Sequence, residues 1–429
     1  KNVFQVCLTI LNNNKHTVRE LKLSNINSSM IDLFIKINLS QFNNIEILNL
    51  SSNNLYKLRN KLDKLYIDNM INLKSLNLGN NNIGKYIPSI NNLTNLTELD
   101  LSNNMLGNIE NGFVLNNLTK LNKLNLVNNY LGAIKGDLIL DNMSKLTYLD
   151  ISNNKLFKLE EKAVMLNISK MVNLEYFDIS GNELKNYLQD ISHFTNLTHL
   201  NISNNKIGKR DETIYFGNMT KLTYLNLSKN GLMFFRDKMN TIGLSKLTKL
   251  NILDLGLNSL GDYMPDICSL TELKELYLSF NELGHRDHVY DLSCFTTLKV
   301  LDLSYNGLAM IKDDINNMNI DKLTNLTHLD ISLNSLQNYM PNIIILTNLT
   351  TLNIAGNKIG MGDRQLNLSS LTNLTDLNMS GNHLSNINYD IGISKLVKLK
   401  VLNISYNGLD DGNTLNIIKD NIAITNIDV

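Results

Sequence analysis

IEILNLSSNNL, residues 45–55, and LKVLNISYNGL, residues 399–409, are one eleven-residue pattern written near both ends of a 429-residue chain. In the first copy the fixed points are Ile45, Leu48, Leu50, Asn53 and Leu55; in the last they are Leu399, Leu402, Ile404, Asn407 and Leu409. Thirteen further copies lie between them without a gap, so fifteen full copies are in register. A degenerate copy precedes them at Val18, Leu21 and Leu23, and a truncated one stands at Ile424, Ile427 and Val429. A period repeated this often fixes the architecture before any local propensity is considered.

Within each copy the apolar fourth and sixth positions alternate with polar third and fifth ones, as a half-buried strand requires. One copy is too small to bury its own leucines, so neighbours must stack and share a continuous core. The strands are then expected to align as a parallel sheet on one side, with the variable segments on the other. The asparagine at the ninth position (Asn53, Asn81, Asn104, Asn129, Asn154 and onward to Asn407) falls where the chain turns inward. Buried backbone groups at such a turn need partners, and an amide offers donors and an acceptor together.

The spacing of first positions carries a second period. From Leu146 it runs 28, 23 and 25 residues three times over; the same triplet begins at Ile45, and a 25-residue unit is inserted at Leu121. Two further 25-residue units follow the last triplet. This points to a 76-residue triplet as the ancestral duplication unit. The 23-residue class reads Tyr86-Ile87-Pro88, Tyr187-Leu188-Gln189, Tyr263-Met264-Pro265 and Tyr339-Met340-Pro341, and holds all three prolines of the chain. Proline extends the residue before it, so these outer segments are expected to be extended rather than helical. The 28-residue class, such as Leu156 to Met171, has room for a helical turn or two.

The pattern L-x-x-L-x-L-x-x-N-x-L resembles the leucine-rich-repeat superfamily over residues 18–429, as about seventeen repeats. The resemblance implies an α/β solenoid, a curved horseshoe or superhelix. A parallel sheet would line its concave face, with mixed extended and helical convex segments. The I-P step is similar to that of plant-type repeats, but the paired cysteines and tryptophan of the plant-receptor N-cap are absent. Residues 1–17 instead place Phe4, Cys7, Leu8 and Leu11 at amphipathic helical spacing, which suits a helix capping the first strand. The C-terminal end shows no polar cap, so a continuing chain or a partner is expected there.

Composition narrows the function. Forty basic and forty acidic residues cancel, which argues against nucleic acid or anionic membrane as generic partners. No stretch approaches eighteen uninterrupted apolar residues, so no inserted span is expected. No nucleophile elbow, Walker loop or C-x-x-C motif occurs. His285-Arg286-Asp287-His288 sits in an outer segment without a third ligand. The chain therefore reads as a non-enzyme without a cofactor or a metal. The fifth-position Asn/Asp column offers carboxylate pairs such as Asp150/Asp178 and Asp302/Asp330, but L-D-L-S and L-N-L-S are ordinary text of the repeat.

Two rows depart from a polar strand face. The third position carries Tyr148, Tyr176, His199, Tyr224 and then Ile252 in successive repeats. The eighth carries Leu257, Phe280, Tyr305 and Leu333, with Tyr277 at the fifth position between them. With strands spaced about 4.8 Å apart, each row is a stripe about 15–20 Å long. Exposed aromatic stripes are the material of interface hot spots; the competing reading is strand propensity of tyrosine and packing at the rim. Cys268 and Cys294 occupy nearly equivalent outer positions one residue out of register, and two buried thiols are expected rather than a disulfide. N-x-S/T sequons at Asn95, Asn117, Asn196, Asn218, Asn325 and Asn348 arise mostly from L-T-N-L-T repeat text.

These features suit a recognition module, a receptor-like ectodomain or adhesin holding a protein ligand on its concave face, extracellular or at the cell surface. A self-assembling structural protein and a cytoplasmic scaffold are the alternatives. The superfamily serves all three roles.

Overall fold

The computed structural model describes residues 9–11, 13–26, 39–110, 113–134, 138–140, 142–157, 168–185, 188–209, 214–285, 289–410 and 424–429. The chain divides into two compact units, Lys1–Ile207 and Gly208–Val429. In the first, three-residue strands run from Glu20–Lys22 through Ile47–Asn49, Ser75–Asn77, Glu98–Asp100, Lys123–Asn125, Tyr148–Asp150 and Tyr176–Asp178 to His199–Asn201, each parallel to the next. In the second they run from Tyr224–Asn226 to Asn426–Asp428 in the same manner. The register is set by the fourth position: Leu48 pairs with Leu76, Leu76 with Leu99, and likewise Leu301 with Leu329. A one-residue slip would turn every leucine to solvent, so the core itself enforces alignment. A short second pairing, Phe113–Val114 with Leu138–Ile139, joins two outer segments of the first unit.

Leucines at positions one, four, six and eleven are buried in repeat after repeat, as with Leu298, Leu301, Leu303 and Leu308. Beside them runs the asparagine column, and its geometry is repetitive. Asn306 donates from Nδ2 to the carbonyls of Leu278 (2.9 Å), Leu303 (2.9 Å) and Ser304 (3.1 Å). Its Oδ1 accepts the N–H of Asn281 at 2.9 Å and, more weakly, that of Leu283 at 3.4 Å. One side chain thus ties its own turn to the repeat before it. On either side of this residue, at positions eight and ten, the backbone is left-handed, for example at Asn103 (φ 54°) and Met105 (φ 59°) around Asn104.

The outer segments divide by class. In the 28-residue repeats Leu55–Leu65, Leu232–Ile242 and Leu308–Met318 are 3-10 helical, the second broken at Arg236 and the third at Lys312. In the 23-residue repeats the expected extension holds only from the residue before proline. A single 3-10 turn, such as Gly84–Tyr86 or Gln337–Tyr339, ends on the tyrosine. Ile87 (ψ 129°) and Met340 (ψ 126°) then extend, because proline bars the helical region to its predecessor. Five of the 25-residue repeats carry glycine where the turn meets the next repeat, at Gly107, Gly132, Gly208, Gly284 and Gly360. A Cβ on Gly284 would lie 2.0 Å from the carbonyl oxygen of Gly307.

A second set of asparagines works on the outside. Asn95 donates to the carbonyl of Ile71 (2.9 Å), Asn325 to Thr296 (2.7 Å) and Asn348 to Thr324 (2.9 Å). Asn72 and Asn173 make the same bond without belonging to a sequon. The amide is therefore used structurally, and the L-T-N-L-T text follows from that use.

Thr9–Leu11 and Asn13 are α-helical, while Phe4, Cys7 and Leu8 of the expected cap lie outside the described residues. The cysteine expectation is corrected. Cys268 is exposed, Cys294 half-buried, and the two are joined as a disulfide with Cα atoms 5.5 Å apart. The stacking of consecutive repeats brings the two backbones within bridging distance despite the one-residue offset. Thiol titration of the unreduced, denatured protein should accordingly find one thiol, that of Cys7; three would remove the bridge. Among the described residues no helix is long and apolar enough to cross a membrane.

Candidate ligand-binding face

Residues three and five of each repeat project from the same face of the sheet, and residue eight follows where the chain leaves it. In the first unit the third-position row forms a stack. The rings of Tyr148 and Tyr176 lie 4.2 Å apart at 11°, and those of Tyr176 and His199 lie 4.3 Å apart at 11°. Lys123 Nζ sits 4.8 Å from the Tyr148 ring centre at the other end. All three ring residues are half-buried, and Asp150 and Asp178, two residues further on, are buried.

Both carboxylates are largely closed to water. Burial pushes the Asp150 carboxyl up to about 6, against hydrogen bonds from the Ser152 N–H (3.0 Å) and hydroxyl (2.8 Å), with Asp178 and Asp100 adding repulsion. Burial also raises the Tyr148 and Tyr176 phenols and lowers the His199 imidazole. Because Asp150 ionises above its unfolded value, its stabilising contribution is full below about pH 4 and is lost as the pH rises through about 6. Asparagine fills the equivalent place at Asn125 and Asn201. Asp150→Asn should therefore remove this fall between pH 4 and 6 and raise the melting midpoint at pH 7. Screening at this partly open site limits the gain to on the order of 1 kcal/mol, or about 2–4 °C. A midpoint that drops at pH 7 would show that the charge itself is needed.

Tyr224, half-buried, begins the strand Tyr224–Asn226 of the second unit, paired in register with Ile252. The eighth-position row of this unit differs from the stack in two respects. Leu257, Phe280, Tyr305 and Leu333 are 39%, 41%, 46% and 44% exposed, and the rings of Phe280 and Tyr305 stack at 4.1 Å and 12°. Their backbones are left-handed, with φ of 57°, 55°, 55° and 57°. Asparagine or glycine occupies this column at Asn80, Asn103, Asn128, Asn153, Gly181, Asn204, Gly356 and Gly381, because those residues tolerate the conformation. Four consecutive repeats thus hold large apolar side chains where the backbone disfavours them. Tyr406, at the same position and 89% exposed, was not singled out by sequence reasoning.

Tyr277 stands between these rows, its hydroxyl donating to Glu275 Oε2 at 2.9 Å. It forms one end of an open recess of about 500 Å³ in the strand face, with Asp302, His328, Asp330, Asp376 and Asn403 among the lining. Sequence reasoning missed this recess, since a fifth-position Asp is ordinary repeat text. Burial raises the carboxyls of Asp254 and Asp302. Among the described residues no group of three His, Cys, Asp or Glu side chains is placed to hold a metal ion. His285 is exposed; Arg286, Asp287 and His288 lie outside the described residues.

Family models for leucine-rich repeats match residues 71–117 in a two-copy form and 193–210, 296–309 and 346–361 in a single-copy form. No curated protein matches the chain. Among solved structures the chain is similar to the leucine-rich-repeat protein LIC12759 of Leptospira interrogans, at 19% identity and a TM-score of 0.63 over 98% of both chains. It is also similar to the functional domain of InlJ from Listeria monocytogenes, described as including a cysteine ladder, at 22% identity and a TM-score of 0.50. That match covers 84% of this chain, which spans 64% of the InlJ chain. At these identities the likeness concerns the fold.

Proposed function

The chain is a leucine-rich-repeat solenoid, and from that premise we propose that it is a recognition module that binds a protein ligand across its strand face. The observation that carries this reading is the eighth-position ridge: Leu257, Phe280, Tyr305 and Leu333, large, exposed and left-handed in four successive repeats. Backbone strain retained at an exposed apolar surface is the signature of a functional constraint. The stack of Tyr148, Tyr176 and His199, with Tyr224 and Tyr277, supplies further aromatic surface on strand faces. A preformed array orders little on binding, so a few anchors of this kind suffice for affinity.

The disulfide Cys268–Cys294 supports an oxidising compartment, and with it a receptor-like or adhesive role outside the cytosol. The reading is tested by panning a phage-displayed random peptide library on the immobilised protein. Binders that fail on the Phe280→Asn/Tyr305→Asn variant support it. Binders that ignore the ridge overturn it.

A further inference from the structure

We propose that the partner presents a polypeptide segment in which basic side chains alternate with apolar ones, laid along the second unit with its cations in the recess and its apolar groups on the ridge. The inference rests on the strand face being the binding surface. Across that face the chemistry is zoned. The fifth-position carboxylates of Asp254, Asp302 and Asp330 and the third-position ones of Glu275 and Asp376 form an acidic lane.

None of the five belongs to an ion pair among the described residues. They are held instead by neutral donors: Asp302 by the Ser304 N–H (2.9 Å), Asp330 by Asn353 (2.7 Å), Asp376 by the Thr375 hydroxyl (2.6 Å). Lys274 and Lys299 stand at the second position, on the rim where the strands begin. The apolar ridge stands on the opposite rim, where the strands end. Half-buried carboxylates with no cation beside them are relieved by a partner's ammonium or guanidinium, and at Asp254 and Asp302 burial has already raised the carboxyl. The Tyr277 ring at the end of the recess offers a face for the same cation.

Two features separate this pattern from a solvated acidic surface. The recess, of about 500 Å³, has room for side chains, and in four successive repeats an acid (Asp254, Glu275, Asp302, Asp330) stands on the strand and a ridge residue where that strand ends. A ligand reading both rows must carry both chemistries in one segment. An acidic or wholly apolar partner would leave one row unmatched.

The peptide library provides the test, using wild type, Phe280→Asn/Tyr305→Asn and Asp302→Asn/Asp376→Asn as baits of matched melting midpoint. Asparagine preserves the acceptor that Asp302 offers Ser304, as Asn226 does for Ser228. The expected peptides are enriched in Lys or Arg interleaved with Leu, Phe or Tyr, and synthetic copies weaken about ten-fold on the aspartate variant and with added salt. Ridge-dependent peptides that are neutral or acidic and indifferent to the aspartate changes overturn this inference while leaving the recognition reading intact. Peptides indifferent to both variants remove the recognition reading itself.

Discussion

Asn306→Ala lowers the unfolding midpoint of the protein about as far as truncation of a buried leucine in the same repeat. The variant leaves the N–H of Asn281 and, more weakly, that of Leu283 without their acceptor in a site closed to water. It also takes one of two amide donors from each of the carbonyls of Leu278 and Leu303, which keep those of Asn281 and Asn334. A buried N–H stranded in this way costs about 1–3 kcal/mol and the carbonyls that lose one of two donors add less, so the sum is about 3 kcal/mol, at the upper end of ordinary single substitutions. Repeats lean on their nearest neighbours, so the loss should appear as local opening around residues 278–306 before global unfolding. Hydrogen exchange followed through a urea series would show it. Asn306→Asp separates the causes. It keeps an acceptor for Asn281 but loses both strong donors and buries a charge, so it should be no milder than Ala. A loss under about 1 kcal/mol for Ala would mean that water enters the turn and replaces the amide.

Phe280→Asn/Tyr305→Asn gives the opposite pairing of effects: ligand binding falls at least about a hundred-fold while the melting midpoint barely moves. The stability terms oppose one another. A non-glycine residue in the left-handed region is disfavoured by about 1–2 kcal/mol, and asparagine recovers part of that. The aromatic stack that is lost is worth about 0.5–1.5 kcal/mol. Their near cancellation makes binding the informative readout, measured with a selected peptide by titration calorimetry alongside thermal melts. A large drop in midpoint with binding retained by the folded fraction would assign Phe280 and Tyr305 to packing.

How far the sequence could be read depended on what each residue repeats. The strand register and the inner asparagine column were legible because a period multiplies a weak signal, and Asn306 needs the same partners as Asn104. The left-handed eighth position was legible in principle: a column mostly of Asn and Gly, broken by Ser52, Lys229 and Tyr406 singly and by Leu257, Phe280, Tyr305 and Leu333 in a row, is a conformational statement as well as a chemical one. Polarity alone made those four residues look like surface apolar groups. Cys268 and Cys294 were misjudged because a one-residue offset along the chain says little about separation between stacked turns. The recess by Tyr277 could not be seen, since its carboxylates belong to the repeat text and only their shared recess distinguishes them. Asp150 is similar: sequence places it in the fifth-position column with Asp100 and Asp178 without showing that its carboxyl is buried.

The inner amides also bear on how this protein ages. Asn230-Gly231, Asn306-Gly307 and Asn407-Gly408 are Asn-Gly pairs, the sequence in which the following backbone nitrogen most readily attacks the side-chain carbonyl, expelling ammonia through a cyclic imide. Asn306 and Asn407 cannot rotate into that attack while both ends of the amide are held and water is shut out. An opened repeat has no such protection. The aspartate or isoaspartate it acquires would return to a place that accepts no carboxylate, so each opening long enough to react leaves a covalent mark and a repeat that closes less well. Intactness at these three positions is therefore a chemical record of how seldom the array comes apart.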